Sequence, residues 1–164
     1  MKQTVFISFS LLAIGFLLYL NFFNSKKQGF SHTVIYTDKA PKPIGPYSQA
    51  ILTGNTLFVA GQVAIDPKSG ALDTTSVETE TKRVLQNISA ILEAAKMDLK
   101  NVVKCTIYME DLNDFKTVNG VYEATLDPFC TNEKGEKNFP ARETVQVAGL
   151  PKGAHIEISV IAVK

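Results

Sequence analysis

Between Val84 and Ala95 the apolar residues Val84, Ile88, Ile91, Leu92 and Ala95 return at i, i+4, i+7, i+8 and i+11. That spacing gathers them on one face and predicts an amphipathic helix over about 76–96. Thr75-Ser76-Val77-Glu78 matches a capping box at its start, with Thr75 as the cap and Glu78 three residues on. Phe115, Val118, Tyr122 and Leu126 repeat every three or four residues and predict a second helix, capped by Asp111 or Asn113. Elsewhere the period is two. Val103, Cys105, Ile107 and Met109 alternate with Lys104, Thr106, Tyr108 and Glu110, which predicts a strand over 102–110. Residues 48–53 and 56–65 read as strands about Gly54-Asn55, a hairpin signal, and 33–37 is a shorter β-like run. Residues 141–148 and 155–163 are the last two strands, joined by Gly149-Leu150-Pro151-Lys152-Gly153. Three prolines stiffen 39–47, and 128–139 is a long polar loop.

The order is β-β-β-α-β-α-β-β, an α+β domain with a mixed sheet and two helices on one face. The other face then needs a partner, and subunits of an oligomer supply one economically. Read as a hairpin, the last two strands must pair so that Val145 and Val147 share a face with Ile156, Ile158 and Val160, since a one-residue slip would bury the polar row. That register sets Arg142, Thr144 and Glu157 together on the face the helices leave uncovered. Two readings of them stand side by side. One is a cross-strand ion pair on a solvated surface. The other is a guanidinium that forks a carboxylate ligand beside a glutamate that handles water.

The N-terminus departs from this alternation. VFISFSLLAIGFLLYLNFF, from Val5 to Phe23, is 19 residues without a charge. As a helix it would span roughly 28 Å, near the ~30 Å of a bilayer core. It reads as a membrane anchor, with a cleaved signal segment and a secreted or periplasmic protein as the alternative. Lys2 and the terminal amine on one side are balanced by Lys26 and Lys27 on the other, so the flanking charge gives no orientation. The chain divides accordingly into 1–30, anchor or signal plus a short linker, and the domain 31–164.

The 164 residues carry 17 Lys+Arg against 16 Asp+Glu. Three of the lysines fall in 1–27, leaving 14 basic and 16 acidic residues in the body, a poor surface for coating nucleic acid. Cys105 and Cys130 stand apart from each other and from His32 and His155, so neither a disulfide scaffold nor a zinc site is indicated. Cys105 falls on the apolar side of its strand, Cys130 in the polar loop. His155, at a strand start, reads as a surface residue.

Phe139-Pro140-Ala141-Arg142, Val145, Ala148, Leu150-Pro151-Lys152-Gly153 and Ile156-Glu157-Ile158 resemble the C-terminal signature of the Rid/YjgF family of reactive intermediate deaminases. Ala40-Pro41, Ile44-Gly45-Pro46-Tyr47-Ser48-Gln49-Ala50, Ala60-Gly61-Gln62-Val63, Asp66-Pro67-Lys68-Ser69-Gly70 and Asp111-Leu112-Asn113-Asp114-Phe115 follow in the family's order across 33–164. The resemblance implies a chorismate-mutase-like fold, a homotrimer with sites between subunits, and hydrolysis of 2-imino acids or their enamine tautomers to 2-oxo acids and ammonia. No metal or organic cofactor is implied. Arg142 matches the carboxylate-binding arginine, where a planar fork suits the ligand better than Lys. Glu157 matches the glutamate that positions water and passes protons. Tyr47 and Gly61 match residues of the cleft, and Asn119 an asparagine near it.

Thr144 stands where members often have a cysteine, Ala60 where serine is common, and Glu143 where a small or apolar residue is usual. The 123–140 segment is several residues longer than in compact members. The expectation is an imine deaminase acting on a small 2-imino acid. The rival readings are a non-catalytic trimer that binds small acids or acts as a regulatory or chaperone-like scaffold, and an endoribonuclease, which the net charge of the body disfavours.

Overall fold

The computed structural model describes residues 31–164 together with Phe16 and Tyr19. The body, His32–Lys164, forms a compact unit of its own. It holds β1 (His32–Ile35), β2 (Ala50–Thr53), β3 (Thr56–Gln62), α1 (Val77–Ala94), β4 (Val102–Met109), α2 (Phe115–Cys130), β5 (Ala141–Gln146) and β6 (Ile156–Val163). The fold is the expected α+β arrangement, two helices on one face of a mixed six-stranded sheet.

Gly54, at φ +57°, lets the chain reverse between Thr53 and Thr56, which face each other across β2 and β3. The strand order is β1-β2-β3-β6-β4-β5. β6 is antiparallel to both β3 and β4, so those two run in the same direction and α1 crosses between them. β4 and β5 are parallel and joined through α2. Parallel neighbours need such a crossover, whereas a hairpin can join only antiparallel ones. Both crossovers advance the same way across the sheet, and crossovers of one hand lay both helices on the same side. There Val84, Ile88, Ile91 and Leu92 of α1 and Val118 and Leu126 of α2 close over Leu57, Ile107, Ile156 and Ile158.

This topology corrects the register expected for the last two strands. β5 does not pair with β6; β4 lies between them. Arg142 faces Cys105 and Thr144 faces Ile107, so both project on the helix-covered side. Glu157 faces Tyr108 and alternates with the fully buried Ile156 and Ile158, so it projects on the open side. The valines misled because β5 is an edge strand. Val145 lies on the open face and is 41% exposed, as is Phe58 at 46%.

Smaller corrections follow from local chemistry. The capping box is one residue later than expected: the Ser76 Oγ accepts from the Thr79 N–H (3.2 Å), and the Ser76 N–H donates to the Thr79 Oγ1 (3.0 Å). Glu78 pairs instead with Lys82, one turn on. Asp111 caps the short 3-10 turn Leu112–Asp114, and α2 begins behind it without a side-chain cap. α2 continues through Pro128 to Cys130, so Cys130 is buried rather than loop-exposed.

The membrane-anchored location expected from the run Val5 to Phe23 is overturned. Among the described residues no helix is long and apolar enough to cross a membrane. Apart from Phe16 and Tyr19, that run lies outside the described residues.

Candidate active site

At the centre of the sheet β3 carries one more residue than its partner. Val59 faces Val160 and Gln62 faces Ile158, so two residues, Ala60 and Gly61, oppose Ser159. Such a bulge bends the strand and re-aims what lies next to it. The Glu157 side chain lies across Gly61: a Cβ there would fall 2.6 Å from the Glu157 carboxyl carbon. Gly61 is therefore required for close approach, and not for an unusual backbone angle. Around this point Tyr47, Gly61 and Glu157, with Pro41, Ile44 and Pro151, line a cleft of about 290 Å³, room for a small molecule only.

The wall of that cleft is fixed from below by a residue the sequence reading passed over. Gln49 is buried, and its amide donates to the carbonyls of Thr37 (3.0 Å), Ala40 (3.2 Å) and Pro41 (2.8 Å). Its Oε1 accepts from the Thr37 N–H (2.8 Å). The proline-rich segment has few backbone donors of its own, and one side chain satisfies its carbonyls. Tyr47 stays half-exposed, with the Ile44 N–H donating to its hydroxyl (3.2 Å). Glu157 makes no hydrogen bond or ion pair among the described residues, and burial pushes its carboxyl above the usual glutamate range.

Behind the cleft, the chain re-enters the sheet at His155. The fully buried Glu80 of α1 accepts from the His155 backbone N–H (3.0 Å) and lies 2.5 Å from its Nδ1. Its hydrogen bond raises the imidazole pKa, with Glu110 and Asp114 adding to the effect. His155 is partly exposed, as read from the sequence, but it ties β6 to α1.

The remaining site residues lie elsewhere. Arg142, Asn119, Tyr122, Glu123, Phe139 and Pro140 line a second cleft, which shares no residue with the first. The guanidinium carbon sits 4.8 Å from the ring centre of Tyr122 and 5.8 Å from that of Phe115. Among the described residues it has no carboxylate at ion-pair distance. Thr144 follows two residues along on the same face, its Oγ1 buried with no hydrogen-bond partner among the described residues. Glu143 points to the open face. There Lys104 pairs with it and the Thr106 hydroxyl donates to it, and the Lys104 bond holds its carboxyl below the usual range.

The structure thus brings together Tyr47, Gly61 and Glu157, and separately Arg142, Asn119 and Thr144; within one chain it does not join the two sets. Tyr122 was legible only as a core position, although its spacing from Phe115 and Asn119 puts all three on one face of α2. Cys105 is a core thiol, its pKa pushed up to about 12 by burial, so it is held as the unreactive thiol. Among the described residues no group of three or more His, Cys, Asp or Glu is placed to hold a metal ion.

Residues 37–164 match the family described as Endoribonuclease L-PSP. Over 131 residues the chain is 47% identical to the human 2-iminobutanoate/2-iminopropanoate deaminase, covering 80% of this chain and 89% of that one. Among solved structures, it is similar to the YjgF gene product of Escherichia coli (TM-score 0.72, 41% identity, 80% of this chain and 98% of that one). It is also similar to E. coli TdcF with bound serine (TM-score 0.73, 36% identity, the same coverage).

Proposed function

Because the chain belongs to the Endoribonuclease L-PSP family, the Rid/YjgF family, we propose that it hydrolyses small reactive 2-imino acids to 2-oxo acids and ammonia. The observation that carries this reading is the pair of groups unengaged among the described residues: a guanidinium without an acidic partner, and a half-buried glutamate without any partner, its pKa raised by burial. They are the two functions the reaction needs. Arg142 takes the substrate carboxylate through its N–H fork. The Glu157 carboxylate takes a proton from water as the oxygen attacks C2, and the C=N electrons move to nitrogen. Glu157 then returns the proton to that nitrogen, giving the carbinolamine. It next takes the hydroxyl proton and passes it to the amino nitrogen as the C–N bond breaks, so the oxygen lone pair closes the C=O of the 2-oxo acid and ammonia leaves.

The two clefts lie on opposite faces of the sheet, so in this proposal the site is assembled between copies, Arg142 of one meeting Glu157 of another. A head-to-tail contact of this kind makes a ring where its rotation closes, and three copies fit the homotrimer the resemblance implies. The exposed apolar side chains of the open face, Phe58 and Val145, favour such burial. The human deaminase and the serine bound to TdcF support the substrate class, since serine also carries a carboxylate beside a nitrogen-bearing carbon. The ribonuclease reading has no comparable support: the body carries 14 basic against 16 acidic residues.

The test generates 2-imino acids in situ with an L-amino-acid oxidase, traps them with semicarbazide, and follows 2-oxo acid release by the full chain. Release by wild type that Arg142→Ala abolishes is the expected result. No release from folded protein across several imines would sink the proposal and leave a small-acid-binding module.

A further inference from the structure

A carboxylate can fix an arginine by forking it, but at Arg142 the nearby carboxylates are engaged elsewhere. Glu143 is held by Lys104 and Thr106 on the opposite face. Glu123, which lines the same cleft, is taken by Lys137 (2.9 Å), and Lys137 also reaches Asp127 (3.0 Å). What remains against the guanidinium is aromatic. Tyr122 is buried, Phe115 is 40% exposed, and the two project from one face of α2 toward Arg142. Both means of fixing an arginine restrict its rotamers, yet they differ in what they leave behind. A carboxylate occupies the fork and cancels the charge. A ring holds the cation by its quadrupole and leaves the N–H edge, and the charge, available to an anion.

We infer that Tyr122 and Phe115 are positioning residues, an aromatic platform that holds the Arg142 guanidinium un-neutralised for the substrate carboxylate, with Lys137 keeping Glu123 from taking its place. This rests on the imine-hydrolase reading above. It assigns the 131–138 loop a role as well: the loop delivers Lys137 to α2, and so protects the anion site.

The experiment titrates pyruvate, a 2-oxo acid of the product class, into the full chain by calorimetry, alongside steady-state imine kinetics and thermal melts. The variants are Arg142→Ala, Tyr122→Phe, Tyr122→Leu, Phe115→Leu and Lys137→Met. Tyr122→Phe keeps the ring and loses less affinity than Tyr122→Leu. Tyr122→Leu and Phe115→Leu each weaken pyruvate and raise KM by about 3–30-fold, with kcat nearly unchanged, as loss of a cation–π contact predicts. Lys137→Met raises KM in the same way. A purely structural role would instead lower the melting temperature and kcat together. If Tyr122→Leu does not fold, the partly exposed Phe115 decides the matter. Wild-type affinity in folded Phe115→Leu, with affinity lost in Arg142→Ala, overturns the platform and leaves the hydrolase reading standing. Undiminished affinity in Arg142→Ala overturns the carboxylate role beneath both.

Discussion

The Glu157 cleft and the Arg142 cleft are built by opposite means. Glu157 projects from β6, at the centre of the sheet, and its place is set by backbone: a bulge in β3, a glycine with no Cβ, and a loop pinned by the buried Gln49 amide. Arg142 projects from an edge strand, and its place is set by side chains of a helix, two rings and a lysine that diverts a competing acid. The first has one geometry and tolerates little change. The second should degrade by degrees. In the proposed reaction that division is apt, since proton transfer demands short, fixed distances, whereas an anion anchor works over a wider range of positions.

The largest effect expected is on the backbone-built side. Glu157→Gln keeps the shape but loses the proton carrier, so kcat should fall by about 10²–10⁴-fold while KM changes little. Because burial raises its pKa, the acid limb of the wild-type pH–rate profile should lie above the ~4.3 of an ordinary glutamate and vanish in the variant. On the other side, Arg142→Lys keeps the charge and loses the fork. It should raise KM by about 10–100-fold, the worth of a charge-assisted bond, with a smaller change in kcat. If it instead lowered kcat alone, the division of labour would be wrong.

Gly61→Ala sharpens the same contrast. Its Cβ overlaps the Glu157 carboxyl, so kcat should drop by about tenfold or more as the carboxyl is pushed aside. Gly120→Ala on α2, where a Cβ meets nothing within 4 Å, should leave activity unchanged and stabilise the fold by about 0.5–1 kcal/mol. The last expected effect is on the pH dependence of stability. The His155 pKa is raised in the fold by Glu80, Glu110 and Asp114. Its contribution is therefore fully present below the ordinary ~6.5 and lost as pH rises through the raised value. The partial exposure of the ring keeps that contribution small. Melting temperatures of wild type should fall between pH 6 and pH 9 by more than those of His155→Gln, and equal slopes would contradict the assignment.

How much of this was legible in the sequence differs between the same two regions. Periodicity placed α1, α2, β4 and β6, because each buries a continuous apolar face in one core. It mis-set β5, where Val145 and Glu143 both lie on the open face and only topology, not alternation, decides the neighbour. The shift of the capping box by one residue has a similar origin: Thr75–Glu78 and Ser76–Thr79 are both plausible pairs, and the i,i+4 attraction of Lys82 for Glu78 settles which forms. Motifs named Arg142, Glu157, Tyr47 and Gly61 as functional residues. They did not show that Arg142 and Glu157 face opposite ways, since strand order is invisible to spacing. Gln49, Tyr122 and Glu80 escaped because a buried polar side chain is recognised by its partners, which lie far away in the sequence.

The central claim is that one working site takes its arginine from one copy and its glutamate from another. Arg142→Ala and Glu157→Gln chains, each inactive, should be unfolded together, refolded as a mixture and assayed for imine hydrolysis. Random assembly between copies would restore about a quarter of wild-type activity, from sites that draw both native residues from different chains. A mixture no more active than its two components would contradict the claim.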